Sequence, residues 1–547
     1  MAPYANVNYY DITAKLAHCV SDKHKLSALF YLGKDVNDVS PSQDGWDTRG
    51  EERQETKKVS QAGTENNWGN LIGKIGWDYR INDALQMNAG LNYSSYRYNL
   101  KQKSYESIEE KFGGRQTWLK INDSYVDSHS GIDEMMANVD FRYTANKRHL
   151  LRWGTKVSHR TLNPSIEVYE KKYSKQWIDG DYEEKTALTD TVMGGNKQKL
   201  TMAAVYVEDD FALTRRLKAN IGLRYAFFAV PEKSYHSLEP RLSLRWLFHD
   251  DMALKLSYAH MAQGIHLLSS TNLVMPSDIW ISIDKDLPLM KSDQWALGYN
   301  YEIMKGFDLS VEGFYKRMNN LLEYREGYSL MAPTDQWADQ VVTGEGESYG
   351  IELLLQKTTG KTTGWLAYTW SKSLRLFDRP GQEVFSGKKY YAGNDRRHNL
   401  NLVVNHRFNK HWEVSAAWNY QTGRRGTLST TTFMGSGPSE IHHFHLKEAD
   451  LKDGLNVIHY LPILSSYKER NGYQLPAIHR LDLGVTYSWK MGKLENKVNL
   501  SVYNVYNRQN ISNIYWGYDS HKLNAKKVLK GICLLPILPS ISYTLKL

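Results

Sequence analysis

The chain has 547 residues, a formal net charge of +9, 37 tyrosines, 16 tryptophans and two cysteines. No run approaches the roughly 18 apolar residues of a membrane-spanning helix, which excludes a helical membrane protein. Cys19 and Cys533 are too few for a disulfide framework or a paired-cysteine zinc site, and because Lys and Arg are interspersed with Asp and Glu the positive charge forms no nucleic-acid patch.

The N-terminal residues MAPYANVNYY contain neither the basic nor the apolar segment of a secretion signal. This start predicts either a cytoplasmic chain or a chain whose front is missing. No Pro-, Gly- or Ser-rich stretch and no block of like charge separates one region from another. We therefore expect one domain over residues 1–547.

Alternation of apolar with polar or small residues is the dominant pattern, and it predicts β-strands. Five such segments begin, in chain order, at Leu85, Leu217, Met252, Phe307 and Arg480. A sixth, residues 399–408, is followed after a short break by a seventh over residues 412–420, so these two predict a hairpin. The repetition predicts an array of antiparallel strands.

The connections between these strands alternate in length. Short turns are predicted at residues 21–24, 82–84, 145–147, 215–216, 249–251, 305–306, 359–361, 409–411 and 490–493. Long connections are predicted at residues 37–66, 103–131, 161–196 and 423–477. Short turns at one end and long loops at the other are typical of an outer-membrane barrel, and counting between them gives about nineteen strands, from near Asn6 to Leu547.

A soluble all-β sandwich or propeller is the alternative, because its strands alternate as well. The predicted strands of about ten or more residues, with aromatic residues near their ends, favour the membrane barrel. Charged residues on the polar face, such as Glu312, Lys316, Glu413 and Asp482, suit a wet lumen better than a dry core. The fold class predicted is an all-β, transmembrane, antiparallel up-and-down β-barrel.

Five segments, in their order and spacing, carry a further resemblance. They are EPRLSLRW from Glu239, YGIELLLQKTTGKTTGWLAYTWSKS from Tyr349, DRRHNLNLVVNHRF from Asp395, LSVYNVYNRQN from Leu500 and LPSISYTLKL from Leu538. Together they resemble the TonB-dependent outer-membrane receptors over nearly the whole chain. The resemblance implies a 22-stranded barrel around an N-terminal plug, with outer-membrane lipid and lipopolysaccharide outside it. It also implies a TonB complex that acts through the plug to import a scarce nutrient, such as an iron-siderophore, haem, cobalamin or a glycan.

The chain departs from the family at both ends. The plug and its TonB box have no counterpart, about three initial strands are missing from the expected 22, and the last residue is Leu547 rather than an aromatic residue. We therefore expect an N-terminally truncated barrel in which a missing segment supplies the plug. The first and last strands would then be free edges that meet, receive strands from a separate chain, or keep the chain out of the membrane. A plug-free passive pore and a non-functional fragment are the alternative functions.

Two loops contain candidate ligand-binding residues. The segment IHHFHLKEAD contains His442, His443 and His445, which can contact an iron-bearing ligand or belong to a plain polar loop. Residues 275–290 contain Asp278 and Trp280, which contact substrate or belong to an ordered lid on the barrel mouth. The cluster at residues 395–398 is interpreted as structural. No catalytic motif, resident metal site or cofactor site is predicted, so we expect no enzyme.

Overall fold

The computed structural model describes residues 5–49, 54–178, 180–269, 278–326, 337–428, 431–434, 463–518, 527–533 and 535–546. Within these ranges the chain is almost entirely β-strand, and its helical content is two 3₁₀ turns, Trp337–Asp339 and Phe385–Gly387. Neither turn has the length or the apolar character needed to cross a membrane.

Nineteen strands of the described chain follow one another in a single large sheet. They are β1 (Ala5–Cys19), β2 (His24–Arg49), β3 (Gln54–Arg80), β4 (Leu85–Phe112), β5 (Arg115–Thr144), β6 (His149–Ile178), β7 (Gln198–Ala212), β8 (Leu217–Val230), β9 (Lys233–His249), β10 (Met252–Gln263), β11 (Met290–Met304), β12 (Phe307–Tyr324), β13 (Val341–Lys357), β14 (Thr362–Leu376), β15 (His398–Arg407), β16 (Trp412–Gln421), β17 (Ile478–Met491), β18 (Leu494–Tyr503) and β19 (Leu538–Lys546).

Shorter strands occupy the connections at the long-loop end of the sheet. They are Asp181–Gly194, Ile265–Ser269, Asp278–Ser282, Tyr390–Tyr391, Arg425–Gly426, Thr431–Met434, Ile463–Ser466, Tyr473–Gln474, Ile511–Tyr518 and Lys527–Cys533. Asp181–Gly194 pairs with the C-terminal half of β6. Ile265–Ser269 pairs with Asp278–Ser282 as a hairpin.

Each long strand pairs antiparallel with the next one in the chain, from β1–β2 through to β18–β19. The nine predicted short turns all lie between consecutive strands at the same end of the sheet. The predicted antiparallel meander of about nineteen strands is therefore confirmed.

The two faces of the sheet differ as the alternation predicts. On the outer face, Leu91 of β4 is 63% exposed and Met135 of β5 is 66% exposed. Met135 pairs with Tyr93, which lies two residues after Leu91 and on the same face. The opposite face, called the lumen face below, contains the charged side chains that the sequence singles out, and Glu413 there accepts a hydrogen bond from Arg407 Nη2 at 2.9 Å. An apolar exterior with a polar interior is what a strand between lipid and water requires.

Three of the predicted long connections are wrong. Residues 37–66, 103–131 and 161–196 are mostly strand, and β5 and β6 each reach 30 residues. About ten residues cross a membrane, so these strands extend far beyond it. Beyond the membrane neither face of a strand meets lipid. Apart from residues such as Ile166 and Val168, which are covered by a loop, nothing then keeps one face apolar, and the alternation that predicts a strand weakens. Backbone pairing continues nevertheless.

The last strand of the sheet is short. β19 begins at Leu538, and Lys527–Cys533, which comes before it, pairs with Ile511–Tyr518 instead of with β18. Pro536 lies between the two strands, where the missing N–H of proline interrupts a ladder.

The sheet has two unpaired edges within the described residues. There β1 pairs only with β2, and β19 pairs only with β18. Ile12 and Ile541 on these strands are 53% and 73% exposed. The structure thus does not show the two edges meeting. That a separate chain supplies the missing strands, or that the chain stays out of the membrane, remain predictions.

Candidate functional site

A segment between β10 and β11 packs on the lumen face near the long-loop end. We call residues 264–269 and 278–289 the strap. Within it, Ile265–Ser269 and Asp278–Ser282 form a hairpin in which Leu268 pairs with Ile279 and His266 with Ile281. Because alternate residues of a strand point to opposite faces, these four side chains share one face.

The apolar face of the strap is buried against the barrel wall. Ile279 and Ile281 are fully buried and pack in one cluster with Ile166 and Val168 of β6. Further along the strap, Ile283 packs in a second cluster with side chains of β7 and β8. Burying a large aliphatic side chain stabilises by roughly 1.5–3 kcal/mol, so these contacts hold the strap in one place.

Hydrogen bonds connect the strap to several strands. The backbone N–H of Trp280 donates to Ser130 Oγ of β5 at 3.0 Å, and that of Ser282 donates to Gln198 Oε1 of β7 at 2.7 Å. Asn320 Nδ2 of β12 donates to the Leu289 carbonyl at 3.0 Å. The strap is therefore bound to strands on both sides of its own connection.

His266 is a buried part of the strap. Its side chain is 2% exposed, and Nε2 lies 3.0 Å from the Pro288 carbonyl, which accepts the hydrogen bond. Burial lowers the pKa of His266 to about 4, against a small opposing effect of the Pro288 carbonyl. The imidazole is thus neutral at physiological pH.

The candidate residues Asp278 and Trp280 lie on the strap. Trp280 is on the face opposite to Ile279, pairs across the hairpin with the 41% exposed Leu267, and is itself half-buried. This face points away from the wall, so an indole and an aliphatic side chain are accessible from the mouth. The backbone of Asp278 pairs with Ser269, while its side chain is outside the described part of the chain.

A buried carboxylate organises a second part of the mouth. Asp395 is almost fully buried and accepts hydrogen bonds from the Ser373 N–H at 2.8 Å and from Arg425 Nε at 3.0 Å. Arg397 Nη2 is 3.2 Å from the same carboxylate. Arg425 also lies over the Tyr391 ring, 3.8 Å from its centroid. The arrangement supports the structural interpretation of residues 395–398.

A second buried ion pair joins the end of β12 to the long connection between β16 and β17. Arg470 Nη2 is 3.1 Å from Glu323 Oε1, and the Tyr390 hydroxyl donates to Glu323 Oε2 at 3.3 Å. Burial, followed by the charge of Glu323, raises the pKa of Tyr390 well above its ordinary value. Tyr390 therefore stays protonated and serves as a donor that holds Glu323.

Among the residues that the structure describes, no three His, Cys, Asp or Glu side chains converge as metal ligands do. The candidates His442, His443 and His445 lie outside the described residues.

The comparison with protein families decides which barrel this is. The model for the TonB dependent receptor-like β-barrel matches residues 21–507, most of the chain. The chain belongs to the TonB-dependent receptors. This family consists of outer-membrane receptors and transporters rather than enzymes. A search of curated proteins finds no match.

Solved structures of TonB-dependent receptors have the same fold. BauA, the ferric preacinetobactin receptor of Acinetobacter baumannii, is 12% identical, with a TM-score of 0.53 over 99% of this chain and 78% of BauA. The FrpB iron transporter of Neisseria meningitidis (F5-1 variant) is 12% identical, with a TM-score of 0.50 over 96% of this chain and 82% of FrpB. At these identities the likeness shows the fold alone.

In this TonB-dependent receptor another acid of the strap serves the fold of the strap itself. Of the acids near Trp280, Asp284 accepts hydrogen bonds from the N–H groups of Asp286 and Leu287, so its carboxylate caps its own turn. The packing of the strap fits the ordered-lid interpretation, and substrate contact by Asp278 and Trp280 remains a prediction. The sequence analysis does not single out Leu267 as a neighbour of Trp280. The pairing of the two residues across the hairpin is what brings them together, and it becomes visible in the structure.

Proposed function

We propose that this chain is the barrel of an outer-membrane receptor that imports a scarce nutrient in a TonB-dependent way. The nutrient class is an iron-siderophore, haem, cobalamin or a glycan. The observation that carries the proposal is a nineteen-stranded meander, within the described residues, whose outer face is apolar, whose lumen face is polar and whose long-loop mouth holds an ordered strap. Family membership adds TonB as the partner.

The nine short turns are placed on the periplasmic side and the strap on the outer side in this proposal. The support is that the connections at one end of the sheet are short and those at the other end are long. In bacterial outer-membrane barrels the short connections are periplasmic and the long ones are extracellular. Outer-membrane lipid would then contact the apolar face, and lipopolysaccharide would surround the outer parts of β2 to β6.

We further propose that residues 1–547 form one barrel domain and that an N-terminal segment outside this chain supplies the plug through which TonB acts. The two unpaired edges within the described residues support a barrel that needs more strands. Unpaired backbone groups in hydrocarbon cost several kcal/mol each, so lipid favours a closed ring.

The proposed ligand contacts are at the mouth. Trp280 and Leu267 offer an accessible aromatic and apolar surface, and Asp278 lies on the same hairpin. His442, His443 and His445, outside the described residues, are proposed to contribute from the neighbouring long loop. A concave surface with an aromatic anchor and a few polar groups is typical of small-ligand sites.

The test is uptake by cells that express the full-length gene product containing this chain. Labelled ferric siderophores, haem, cobalamin and oligosaccharides would be offered to matched strains with and without a functional TonB. We expect uptake of one class, only in the TonB-positive strain, and a reduction of at least tenfold in Trp280→Ala. Tyr506→Ala, at another exposed ring, is the control. Uptake of every class at equal rates in both strains would contradict the proposal.

A passive pore is the second candidate. Two cavities of about 610 and 600 Å³ lie side by side along the lumen wall and share Asp140 and Tyr206. Conductance of the purified chain in planar bilayers, together with solute entry into cells that lack TonB, would favour the pore over the receptor.

A further inference from the structure

The lumen face of β3 to β9 contains a recess with one glycine, Gly222, in its lining and two more, Gly90 and Gly154, beneath side chains that line it. A Cβ at Gly90 would lie 2.7 Å from Asn138 Oδ1, and one at Gly222 would lie 3.2 Å from Glu208 Cβ. A Cβ at Gly154 would meet the Tyr206 ring at 2.8 Å. Polar side chains of the neighbouring strands thus lie flat over glycines, which leaves a cavity of about 600 Å³ in the wall.

The carboxylates of this recess already have partners. Asp140 accepts hydrogen bonds from the Tyr206 hydroxyl at 2.8 Å and from Asn138 Nδ2 at 2.6 Å. Glu208 accepts one from Arg152 Nη1 at 2.8 Å. These contacts hold the two acids in place without removing their charge, and the four Lys and Arg side chains that line the cavity outnumber them.

The cations of the recess are in surplus. Among the described residues, Lys74 and Lys156 make no ion pair or hydrogen bond, although both line the cavity. Arg241 is 3.7 Å from Glu239, whose closer partner is Arg224 at 2.7 Å, and the Arg241 side chain is 48% exposed. Three positive groups thus face the cavity without a strong carboxylate partner.

Strand register places an amide beside each lysine. Lys74 of β3 pairs with Asn92 of β4, and Lys156 of β6 pairs with Asn138 of β5. Since directly paired residues share a face, each ammonium group has a side-chain amide next to it on the lumen face. Three strand spacings and an offset of two residues along the strand separate the two lysines, roughly 16 Å in all, and their long side chains shorten that gap.

We propose that this recess binds small multivalent oxyanions, polycarboxylates or phosphates, between Lys74, Lys156 and Arg241. Ammonium groups supply charge, and the amide and guanidinium N–H groups donate charge-assisted hydrogen bonds to the oxygens. The adjoining cavity contains Arg80 and Arg142 beside Asp78 at the short-turn end. The proposed binding does not depend on the proposed function, whereas a role of the bound anion in import rests on it.

The binding test uses the purified full chain in detergent at low ionic strength. Pyrophosphate and citrate are titrated calorimetrically, with glycerol as the neutral probe. We expect both anions to bind, glycerol not to bind, and Lys74→Gln/Lys156→Gln to weaken binding at least tenfold. Lys316→Gln/Lys497→Gln removes the same charge from other lumen strands and should leave affinity unchanged.

The controls separate a site from general attraction. Lys74→Arg/Lys156→Arg keeps the charge and should retain binding, and gel mobility before and after heating checks that every variant is folded. Equal weakening in both glutamine double variants, or no binding by the unmodified chain, overturns the proposal. Anion binding without TonB-dependent uptake overturns the proposed function alone, whereas uptake with no anion binding overturns the recess alone.

Discussion

At the scale of single residues, burial and close contact give side chains properties that their identity does not predict. His266 is an ordinary histidine in the sequence, yet it lies on the buried face of the strap with a carbonyl as its partner, and its pKa falls to about 4. Gly154 lies under Tyr206 and Asp140, so its missing side chain is what allows their hydrogen bond.

Acid should loosen the strap through His266. The folded pKa of about 4 is below the unfolded value of 6.5, so this stability is complete above pH 6.5 and is lost as pH falls towards 4. At pH 5 the loss is about 2 kcal/mol. Hydrogen exchange of residues 278–289, corrected for the intrinsic pH dependence, should show it. His266→Gln keeps a donor without titrating, and an identical pH profile in that variant would contradict the prediction.

Gly154→Ala should destabilise the barrel wall. The new methyl group would lie 2.8 Å from both the Tyr206 ring and the Val139 carbonyl, which forces the Tyr206–Asp140 contact apart. Overpacking of this kind costs about 1–3 kcal/mol. Gly73→Ala, where nothing lies within 4 Å, is the matched control and should change stability by less than about 0.5 kcal/mol. Urea unfolding followed by gel mobility would measure both.

At the scale of elements, the alternation of apolar and polar residues predicts the strand segments that separate lipid from water. It predicts the strand extensions beyond the membrane and the strap poorly. The turns between β3 and β4 or β15 and β16 follow directly from alternation and turn residues. The outer halves of β5 and β6 do not, because both of their faces are polar or packed. The residues of the strap do not by themselves predict where it packs, because its apolar face is covered by strands that are distant in sequence.

Removing the central carboxylate should release the loop between β14 and β15. Asp395→Ala leaves Arg425 and Arg397 without the buried anion they share. Loss of one partner of a buried ion pair costs about 3–5 kcal/mol, so trypsin should cleave after Lys388 much faster. Asp378→Ala removes an exposed carboxylate from the same loop and should leave cleavage unchanged. Equal rates for the two variants would refute the structural role of Asp395.

At the scale of the whole molecule, the two unpaired edges govern how the sheet behaves. Interior strands such as β5 have backbone partners on both sides, whereas β1 and β19 have partners on one side only, within the described residues. An open edge offers a row of free N–H and C=O groups to any strand that reaches it.

Hydrogen exchange should expose these edges. In the detergent-solubilised chain we expect amides of β1 and β19 to exchange at least a hundredfold faster than those of β5, because edge amides lack a second strand. The β5 segment of the same sample serves as the internal reference. Equal protection of all three strands would show that the two edges pair in solution, against the arrangement found here.

The sequence alone determines the all-β class, the number and order of the long strands, the short turns and which face of each strand is apolar. Each of these follows because one face of a strand meets lipid and the other meets water. That difference appears in the sequence as an alternation of apolar and polar residues within the strand itself. The tertiary structure decides how far β2 to β6 extend, where the strap packs, and that Lys74 and Lys156 line the same recess. Those features depend on strands brought together by register, and no local stretch of residues encodes its distant neighbours.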